Sequence, residues 1–328
     1  MNMIATISRA QIETLGLQIR QIRYEAIGIN SYELVDPEGG ELPAVVAGSH
    51  IDIHLGNGMI RQYSLCNDPA DRRRYMIAVL REASGRGGSR WLHETLHVQD
   101  FVQISFPRNN LCIDPAAARH VLIAGGIGIT PLKAMTHSLA RAGEDFVLHY
   151  CARSAAHAAF AGELVALAGD DRVHLHYDGS EHEGRLDVTA LLSERAPGTH
   201  LYHCGPPTLI AACTAATAHW PSGTVHSERF VPPASIQSEV PASEFTLEIA
   251  STGARIAVAE GCSIADALNA HGIQVPTSCV SGLCGTCKLR YLHGEADHQD
   301  YILSEEERTE YLTTCVSRAR SPVLVLDL

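Results

Sequence analysis

Four of the ten cysteines are clustered near the C-terminus, and their spacing could hold an iron–sulfur cluster. They are Cys279, Cys284, Cys287 and Cys315. Plant-type [2Fe–2S] sites use this pattern, because three thiolates come from one loop wrapped round the irons and the fourth comes from elsewhere. Gly282 and Gly285 allow positive φ in that loop, so that amide N–H groups can point at the sulfurs. The pattern predicts a [2Fe–2S] cluster held by these four cysteines.

A zinc site is the main alternative for this cluster. Structural zinc usually shows two C-x2-C pairs, whereas only Cys284 and Cys287 have that spacing here. Cys315 follows an acidic run over residues 304–312 that is predicted to be helical, with Ser304 and Glu307 as a capping box. The other six cysteines stand singly and are predicted to be small buried hydrophobes; they lie at positions 66, 112, 151, 204, 213 and 262.

A glycine-rich turn, Ala124-Gly-Gly-Ile-Gly-Ile-Thr-Pro131, follows a buried strand and opens a helix. It places Gly126 and Gly128 where a pyrophosphate can approach the backbone and the helix N-terminus. Pro131 replaces the third glycine of the usual fingerprint, so a tight strand-to-helix turn remains the alternative. Cys204-Gly-Pro-Pro207 follows a later strand at the same carboxyl edge of the sheet, where ligands bind. This second segment favours a dinucleotide site.

The N-terminal region contains residues that suit a flavin. Arg61, Tyr63 and Ser64 offer a cation, an aromatic face and a hydroxyl close together. Arg81 ends a strand, and Gly87-Gly88-Ser89 precedes a short helix as a candidate phosphate nest. Taken singly, each feature also fits an ordinary strand edge or turn. The segment His93–His97 spells the zinc-protease motif HExxH, but its one or two helical turns are too short to present both histidines on one face.

Three regions position these residues. The pattern of residues 1–112 is typical of an antiparallel β-barrel. Its strands are predicted at 18–23, 29–35, 50–55, 75–80 and 101–105. Strands and helices then alternate over 113–230, which indicates a doubly wound parallel sheet. Its predicted strands are 120–124, 146–151, 173–177 and 200–204, and its predicted helices are 131–142, 155–168, 188–195 and 207–219. Residues 231–243 are rich in Pro and Ser and are predicted to be a linker, and 244–328 form a compact region with the clustered cysteines.

The chain is acidic, with a net charge of −12. Such a surface repels phosphate backbones, so nucleic acid is not an expected partner. Twelve acidic against six basic residues give 244–328 a net charge of −6. No signal peptide or membrane span is expected, because the N-terminus lacks a basic start with an apolar stretch, and the longest apolar stretch is short and broken by glycines. A cytoplasmic protein, monomeric by itself, is the expectation.

The order of these motifs resembles the phthalate dioxygenase reductase family, which also includes vanillate O-demethylase reductase, over nearly the whole chain. The resemblance implies an antiparallel β-barrel that binds FMN, an NAD-binding α/β domain, and a plant-type ferredoxin domain of α+β (β-grasp) fold. It implies that Arg61, Tyr63 and Ser64 hold the isoalloxazine and that Arg81, Gly88 and Ser89 hold the phosphate. Residues that would frame the nicotinamide nucleotide are Gly126, Gly128, Thr130 and Cys204, with Glu228 and Phe230 closing the domain near the flavin.

The function implied is the reductase component of a multicomponent, Rieske-type oxygenase or demethylase that acts on an aromatic acid or similar compound. Electrons would pass from NADH through FMN and the cluster to a separate oxygenase, with Ser64 and Cys204 as the candidate catalytic residues. Two alternatives remain. One is a self-contained flavoenzyme that reduces a small molecule, and the other is a non-catalytic redox sensor. The resemblance implies NADH rather than NADPH. The residues alone leave both open, because no acidic residue ends the second strand and Arg153-Ser154, which follows it, could also accept a 2′-phosphate.

Overall fold

The computed structural model describes residues 14–179, 184–231 and 243–328, and the chain divides into two compact units between Phe230 and Val231. Each unit has its own apolar core. Most of the predicted linker, residues 232–242, lies outside the described residues. Among the described helices, none combines the length and the apolar character needed to cross a bilayer.

The first part of the first unit is an antiparallel sheet that closes on itself. Its strands are β1 Thr14–Ala26, β2 Ile29–Val35, β3 Ser49–His54, β4 Ile60–Ser64, β5 Tyr75–Leu80, β6 Phe101–Ser105 and β7 Arg108–Asn109, with helix α1 at Gly88–Thr95. Their order is β4-β3-β6-β1-β2-β5, and β7 pairs with β3. A bridge between Leu65 and Ile77 joins the two ends of this order, so the strands form a barrel as predicted. The predicted strand set omitted β4, the strand that carries the candidate flavin residues.

The second part of the unit is a five-stranded parallel sheet with helices. Its strands are β8 Arg119–Gly125, β9 Phe146–Ala152, β10 Val173–Tyr177, β11 Thr199–Cys204 and β12 Val225–Glu228, in the order β10-β9-β8-β11-β12. Its helices are α2 Ile129–Ala142, α3 Ala161–Ala168, α4 Val188–Leu192 and α5 Pro207–Ala216. The order reverses beside β8, which is where open α/β sheets bind ligands at the carboxyl ends of their strands.

The prediction of one continuous helix over residues 155–168 was wrong. The stretch 155–168 is a 3-10 turn at Ala155–His157 followed by α3, because Phe160 has a left-handed backbone with φ of 63°. The ammonium of Lys133 lies 4.9 Å from the centre of the Phe160 ring. Phe160 is buried and has this tertiary contact, in a backbone conformation that L-residues otherwise avoid. The helices predicted at 188–195 and 207–219 end earlier, at Leu192 and Ala216.

The second unit is a mixed sheet packed on one helix, the α+β arrangement predicted for it. Its elements are β13 Phe245–Ile249, β14 Arg255–Val258, α6 Ile264–Ala270, β15 Lys288–His293, β16 Ala296–Asp297, β17 Tyr311–Thr313, β18 Arg318–Ala319 and β19 Val323–Leu326. The order is β14-β13-β19-β15-β17, with β13 and β19 parallel and β16 paired separately with β18. Apolar residues of α6 pack against the sheet, with Ile264 and Leu268 fully buried.

The acidic run before Cys315 is not a helix over 304–312. It contains a 3-10 turn at Glu307–Thr309, and Tyr311 already belongs to strand β17. The capping box is nevertheless present, because the Glu307 amide donates to Ser304 Oγ at 3.1 Å and the Ser304 amide donates to the Glu307 carboxylate at 3.0 Å. After the turn, residues 311–313 pair with β15 as strand β17.

Candidate functional site

The four clustered cysteines converge in the second unit. Three of them are buried, and the sulfurs of Cys287 and Cys315 lie 3.1 Å apart although 28 positions separate them. The Leu283 amide donates to Cys279 Sγ at 3.4 Å. Hydrogen bonds from the Cys284 and Cys315 thiols and from this amide lower the pKa of Cys279. These donors stabilise the thiolate form at Cys279, which is the form that binds a metal.

The glycines of this loop have structural reasons to be glycine. Gly282 has φ of 69°, and a Cβ there would lie 2.8 Å from Val316 Cγ2 and 2.9 Å from Asp300 Cα. Gly285 also has positive φ, 71°, as the sequence predicted. The loop is thus bent tightly against its neighbours, as a loop wrapped round a cluster must be.

The chemistry of this donor set fits a [2Fe–2S] cluster. Four thiolates converge, three of them from one loop, and no zinc-type second C-x2-C pair exists in the sequence. The Ser278 hydroxyl, beside the first ligand, is buried without a hydrogen-bond partner among the described residues. A buried donor of this kind costs free energy unless a further acceptor satisfies it, and a cluster sulfide would be such an acceptor.

The barrel forms an anion-binding corner at the start of helix α1. Gly87 has φ of 83° at the N-cap, and no side chain caps the helix. The Arg61 side chain lies next to Gly88 at this helix start, and its guanidinium donates to the Arg86 carbonyl at 2.9 Å. A Cβ on Gly88 would lie 2.5 Å from Arg61 Nε, so glycine is needed there. Ser89 Oγ accepts from the Glu82 amide at 3.1 Å, which holds the loop. Free helix amides beside a cation suit a phosphate group.

Arg81 and Tyr63 have different surroundings from each other. The Arg81 guanidinium, at the end of β5, is ion-paired with the Glu94 carboxylate of α1 at 2.6 Å. Burial raises the pKa of Tyr63, while the nearby charge of Arg61 opposes the shift. Arg61 and Tyr63 are two residues apart on β4, so they share one face of the strand, and Ser64 lies on the other.

Ser64 connects the barrel to the parallel sheet. Its hydroxyl donates to the Glu228 carboxylate at 3.1 Å, across 164 positions of sequence. Glu228 is the register partner of Cys204 at the carboxyl ends of β12 and β11. Burial raises the pKa of Glu228 to about 7, and the Ser64 hydrogen bond acts against that shift. Burial and the Glu228 charge raise the pKa of the Cys204 thiol well above its usual value, so it is a neutral thiol.

A buried polar face lies beside Ser64 and was missed at the level of sequence. In the β3–β4 register, His50 is opposite Ser64 and Asp52 is opposite Gln62. The Gln62 amide nitrogen and one Asp52 carboxylate oxygen are buried without a hydrogen-bond partner among the described residues. These groups fit the polar edge of a flavin ring, which would satisfy them. The two-residue spacing of polar side chains in both strands was the available signal.

The glycine turn packs closely against the end of β11. A Cβ on Gly128 would lie 2.3 Å from the Cys204 carbonyl oxygen, so this glycine permits strand–turn packing. Gly126 has φ of 54° and nothing within 4 Å of a built Cβ, which leaves it open to a ligand. Thr130 is buried, and its hydroxyl donates to the Ile127 carbonyl at 3.0 Å. Of the two glycines, only Gly126 therefore has the open setting predicted for pyrophosphate approach.

Lys133 was also missed at the level of sequence, and it ties the two parts of the first unit together. Its side chain is 2% exposed, and its ammonium donates to the Cys66 carbonyl of the barrel at 2.9 Å. The same ammonium is 2.8 Å from the Glu163 carboxylate of α3. A lysine in a helical pattern usually signals a solvated face, so nothing local identified it.

Several sequence candidates are separated from these groups or used otherwise. Phe230 is exposed and follows the last strand of the unit. His93 Nε2 lies 2.8 Å from the Val79 carbonyl, and α1 ends at Thr95, before His97. The HExxH segment therefore does not present two histidines from one helix. Of the single cysteines, Cys112 is exposed, which corrects its predicted burial, and Cys151 and Cys262 are only partly buried.

Family models match two parts of the chain. The family described as an oxidoreductase NAD-binding domain matches residues 122–215. The family described as a 2Fe-2S iron–sulfur cluster binding domain matches residues 247–320, which include all four clustered cysteines.

Similar proteins extend the match to nearly the whole chain. The reductase subunit of a tert-butanol monooxygenase / tert-amyl alcohol desaturase of Aquincola tertiaricarbonis is 54% identical over 96% of this chain and 96% of its own. The solved structure of phthalate dioxygenase reductase is 38% identical, has a TM-score of 0.73 and covers 96% of this chain and 98% of its own. An intact type IV self-sufficient cytochrome P450 monooxygenase is 37% identical with a TM-score of 0.87, and the chain spans 41% of that protein.

Proposed function

The chain belongs to the phthalate dioxygenase reductase family, and we propose that it supplies electrons to a separate terminal oxygenase of the Rieske type. It is an NADH-dependent iron–sulfur flavoprotein oxidoreductase with FMN and a [2Fe–2S] cluster. When bound, FMN would supply the chemistry that links a two-electron hydride donor, NADH, to a one-electron [2Fe–2S] cluster. The contact that best supports the proposal joins Ser64 of the barrel to Glu228 beside Cys204, because it brings together residues proposed for the flavin and residues proposed for the nucleotide.

We assign the barrel residues to the flavin. Arg61 and the open N-terminus of α1 would hold the FMN phosphate, since a cation and unpaired helix amides meet there. Ser64 and its buried polar neighbours would hydrogen-bond the ring. The full proposed set of FMN residues is Arg61, Tyr63, Ser64, Arg81, Gly88 and Ser89.

We assign the carboxyl edge of the parallel sheet to NADH. Gly126 offers open backbone for the pyrophosphate, and the neutral thiol of Cys204 offers an uncharged contact for the nicotinamide. Ser64 and Cys204 are the proposed catalytic residues, because both are neighbours of Glu228 where the barrel meets the parallel sheet. The full proposed set of NADH residues is Gly126, Gly128, Thr130, Cys204, Glu228 and Phe230. The proposed cluster ligands are Cys279, Cys284, Cys287 and Cys315.

The partner would dock on the second unit near the cysteine loop. Among the acidic residues before Cys315, Glu305, Glu307 and Glu310 are ion-paired with basic neighbours. These pairs reduce the local charge but leave the net charge of −6 over residues 244–328, which steers a basic partner from a distance. Val280, in the cysteine loop, is 54% exposed with φ of 49° and provides an apolar contact at short range.

The test has two stages. The absorption spectrum of the purified protein should show flavin and cluster bands, both of which NADH bleaches without oxygen. Stopped-flow reduction of an oxygenase partner should then slow as ionic strength rises to about physiological, where screening reaches roughly 8 Å, whereas flavin reduction by NADH should change little. Rapid NADH turnover on a small acceptor without partner protein would instead support a self-contained enzyme. Purified protein without flavin would support a redox sensor. Partner reduction that is indifferent to salt would favour apolar docking at Val280.

A further inference from the structure

A second cluster of metal-binding side chains lies at the amino ends of the parallel strands. His200 Nδ1 is 3.1 Å from His226 Nε2, and it is 3.7 Å from an Asp114 carboxylate oxygen. The three ligating atoms all lie within 4.8 Å of one another. None of these residues belongs to the proposed flavin, NADH or iron–sulfur sites.

The sheet brings the two histidines to one face. His226 is the register partner of Tyr202, and His200 lies two residues before Tyr202 on the neighbouring strand β11. The Tyr202 and His226 rings stack with centres 4.6 Å apart, and the His200 and His226 rings stack at 5.3 Å. Two strands and the aromatic stack thus hold both imidazoles in place before any ligand binds.

Asp114 comes from the segment that joins the barrel to β8, and it too is held. Its amide donates to the Tyr202 hydroxyl at 2.9 Å, and one of its carboxylate oxygens accepts from the Ala116 amide at 2.8 Å. The other carboxylate oxygen faces His200. The carboxylate is therefore aimed at the histidine pair by its own backbone.

Two of the distances between these atoms, 3.1 Å and 3.7 Å, are close to those between ligands on one small cation. Tetrahedral zinc binds imidazole nitrogen at about 2.0–2.1 Å, which places two such nitrogens roughly 3.3 Å apart. Two imidazoles and a carboxylate are a ligand set that suits Zn²⁺ and other divalent transition metals, whereas Ca²⁺ and Mg²⁺ prefer oxygen ligands alone. His120, on β8 beside His200, is 2% exposed, and its Nδ1 has no hydrogen-bond partner among the described residues. His120 lies next to the cluster but outside the group of three ligating atoms.

We propose that Asp114, His200 and His226 bind one divalent transition-metal ion, with Zn²⁺ as the test ion, and leave a coordination position open to water. The ion would clamp the segment after the barrel to strands β11 and β12. It would therefore raise the thermal stability of the first unit without taking part in electron transfer.

The test is calorimetric titration of Zn²⁺ into oxidised protein with its flavin and cluster in place, so that the clustered cysteines are occupied. Wild type should bind one ion at this site and should melt at a higher temperature when Zn²⁺ is present. His226→Asn and Asp114→Asn should each weaken binding at least tenfold and abolish the Zn²⁺-dependent rise in melting temperature. Flavin content and circular dichroism should match wild type, which shows that the variants fold.

The matched control is a second histidine pair in the same sheet. His149 Nδ1 and His176 Nε2 are also 3.1 Å apart, but among the described residues no carboxylate or thiol joins them within the same reach. His176→Asn should leave Zn²⁺ binding unchanged. The proposal is wrong if His226→Asn binds Zn²⁺ like wild type or if His176→Asn loses the site. It is also wrong if Cys112→Ser, which removes the exposed thiol two positions before Asp114, abolishes binding while His226→Asn retains it.

Discussion

Replacing Glu228 by Gln should remove the pH dependence near neutrality from the rate at which NADH reduces the flavin. Burial raises the pKa of the Glu228 carboxyl from 4.5 to about 7, and the Ser64 hydrogen bond acts in the opposite direction. The carboxyl therefore changes charge near neutral pH, where other carboxylates are already ionised. Gln keeps the shape and the hydrogen-bonding capacity but carries no charge at any pH.

The raised pKa of Glu228 sets the size of the free-energy effect and the direction of its pH dependence. At 1.36 kcal/mol per pH unit, it corresponds to about 3 kcal/mol of preference for the neutral form in the folded protein. The associated stability is fully present below about pH 4.5 and is lost as pH rises through about 7. In the proposed site, hydride transfer would add negative charge to the flavin beside Glu228. Ionised Glu228 opposes that charge and neutral Glu228 does not, so flavin reduction should be faster on the acid side of neutrality.

Stopped-flow absorbance at the flavin band, with saturating NADH at several pH values, measures this. The wild-type rate should fall with an inflection near pH 7, and Glu228→Gln should give a flat profile over the same range. Ser64→Ala should move the inflection upward, because it removes the hydrogen bond that favours the ionised carboxyl. A flat wild-type profile, or an inflection that persists in Glu228→Gln, would refute the reasoning.

Four further results are expected. Cys284→Ser should lose the cluster, measured as iron content, while NADH still reduces the flavin, whereas Cys213→Ser should retain both. Lys133→Met should lower the free energy of unfolding, measured with denaturant, by about 2–3 kcal/mol, because the Cys66 carbonyl and the Glu163 carboxylate lose their donor. Its control is Lys288→Met, which breaks a more exposed ion pair and should lower that free energy by under about 1 kcal/mol. Gly128→Ala should weaken NADH binding, measured by titration, since its Cβ would lie 2.3 Å from the Cys204 oxygen; Gly162→Ala, with nothing within 4 Å, should not. NADPH should give a lower kcat/KM than NADH, and if it does not, Arg153 is the first residue to change.

The sequence by itself determined the fold class and the presence of an iron–sulfur domain, and it predicted the four cysteine ligands. Both depend on patterns that are local in the chain. Strand and helix periodicity follow from the backbone geometry of neighbouring residues, and the clustered cysteines Cys279, Cys284 and Cys287 lie within one loop. The motif order then indicated the flavin and the nucleotide. The local pattern failed at the helix predicted over 155–168, where Phe160 has a left-handed backbone and its ring contacts the distant Lys133.

Only the tertiary structure decided the protonation and pairing of the buried polar groups. Ser64 and Glu228 are 164 positions apart, and the pKa of about 7 arises from burial that neither sequence segment encodes alone. The contact of Lys133 with Cys66 and the convergence of Asp114 with His200 are of the same kind. Electrostatic free energy depends on distance in space and on exclusion of water, and neither quantity has a period along the chain.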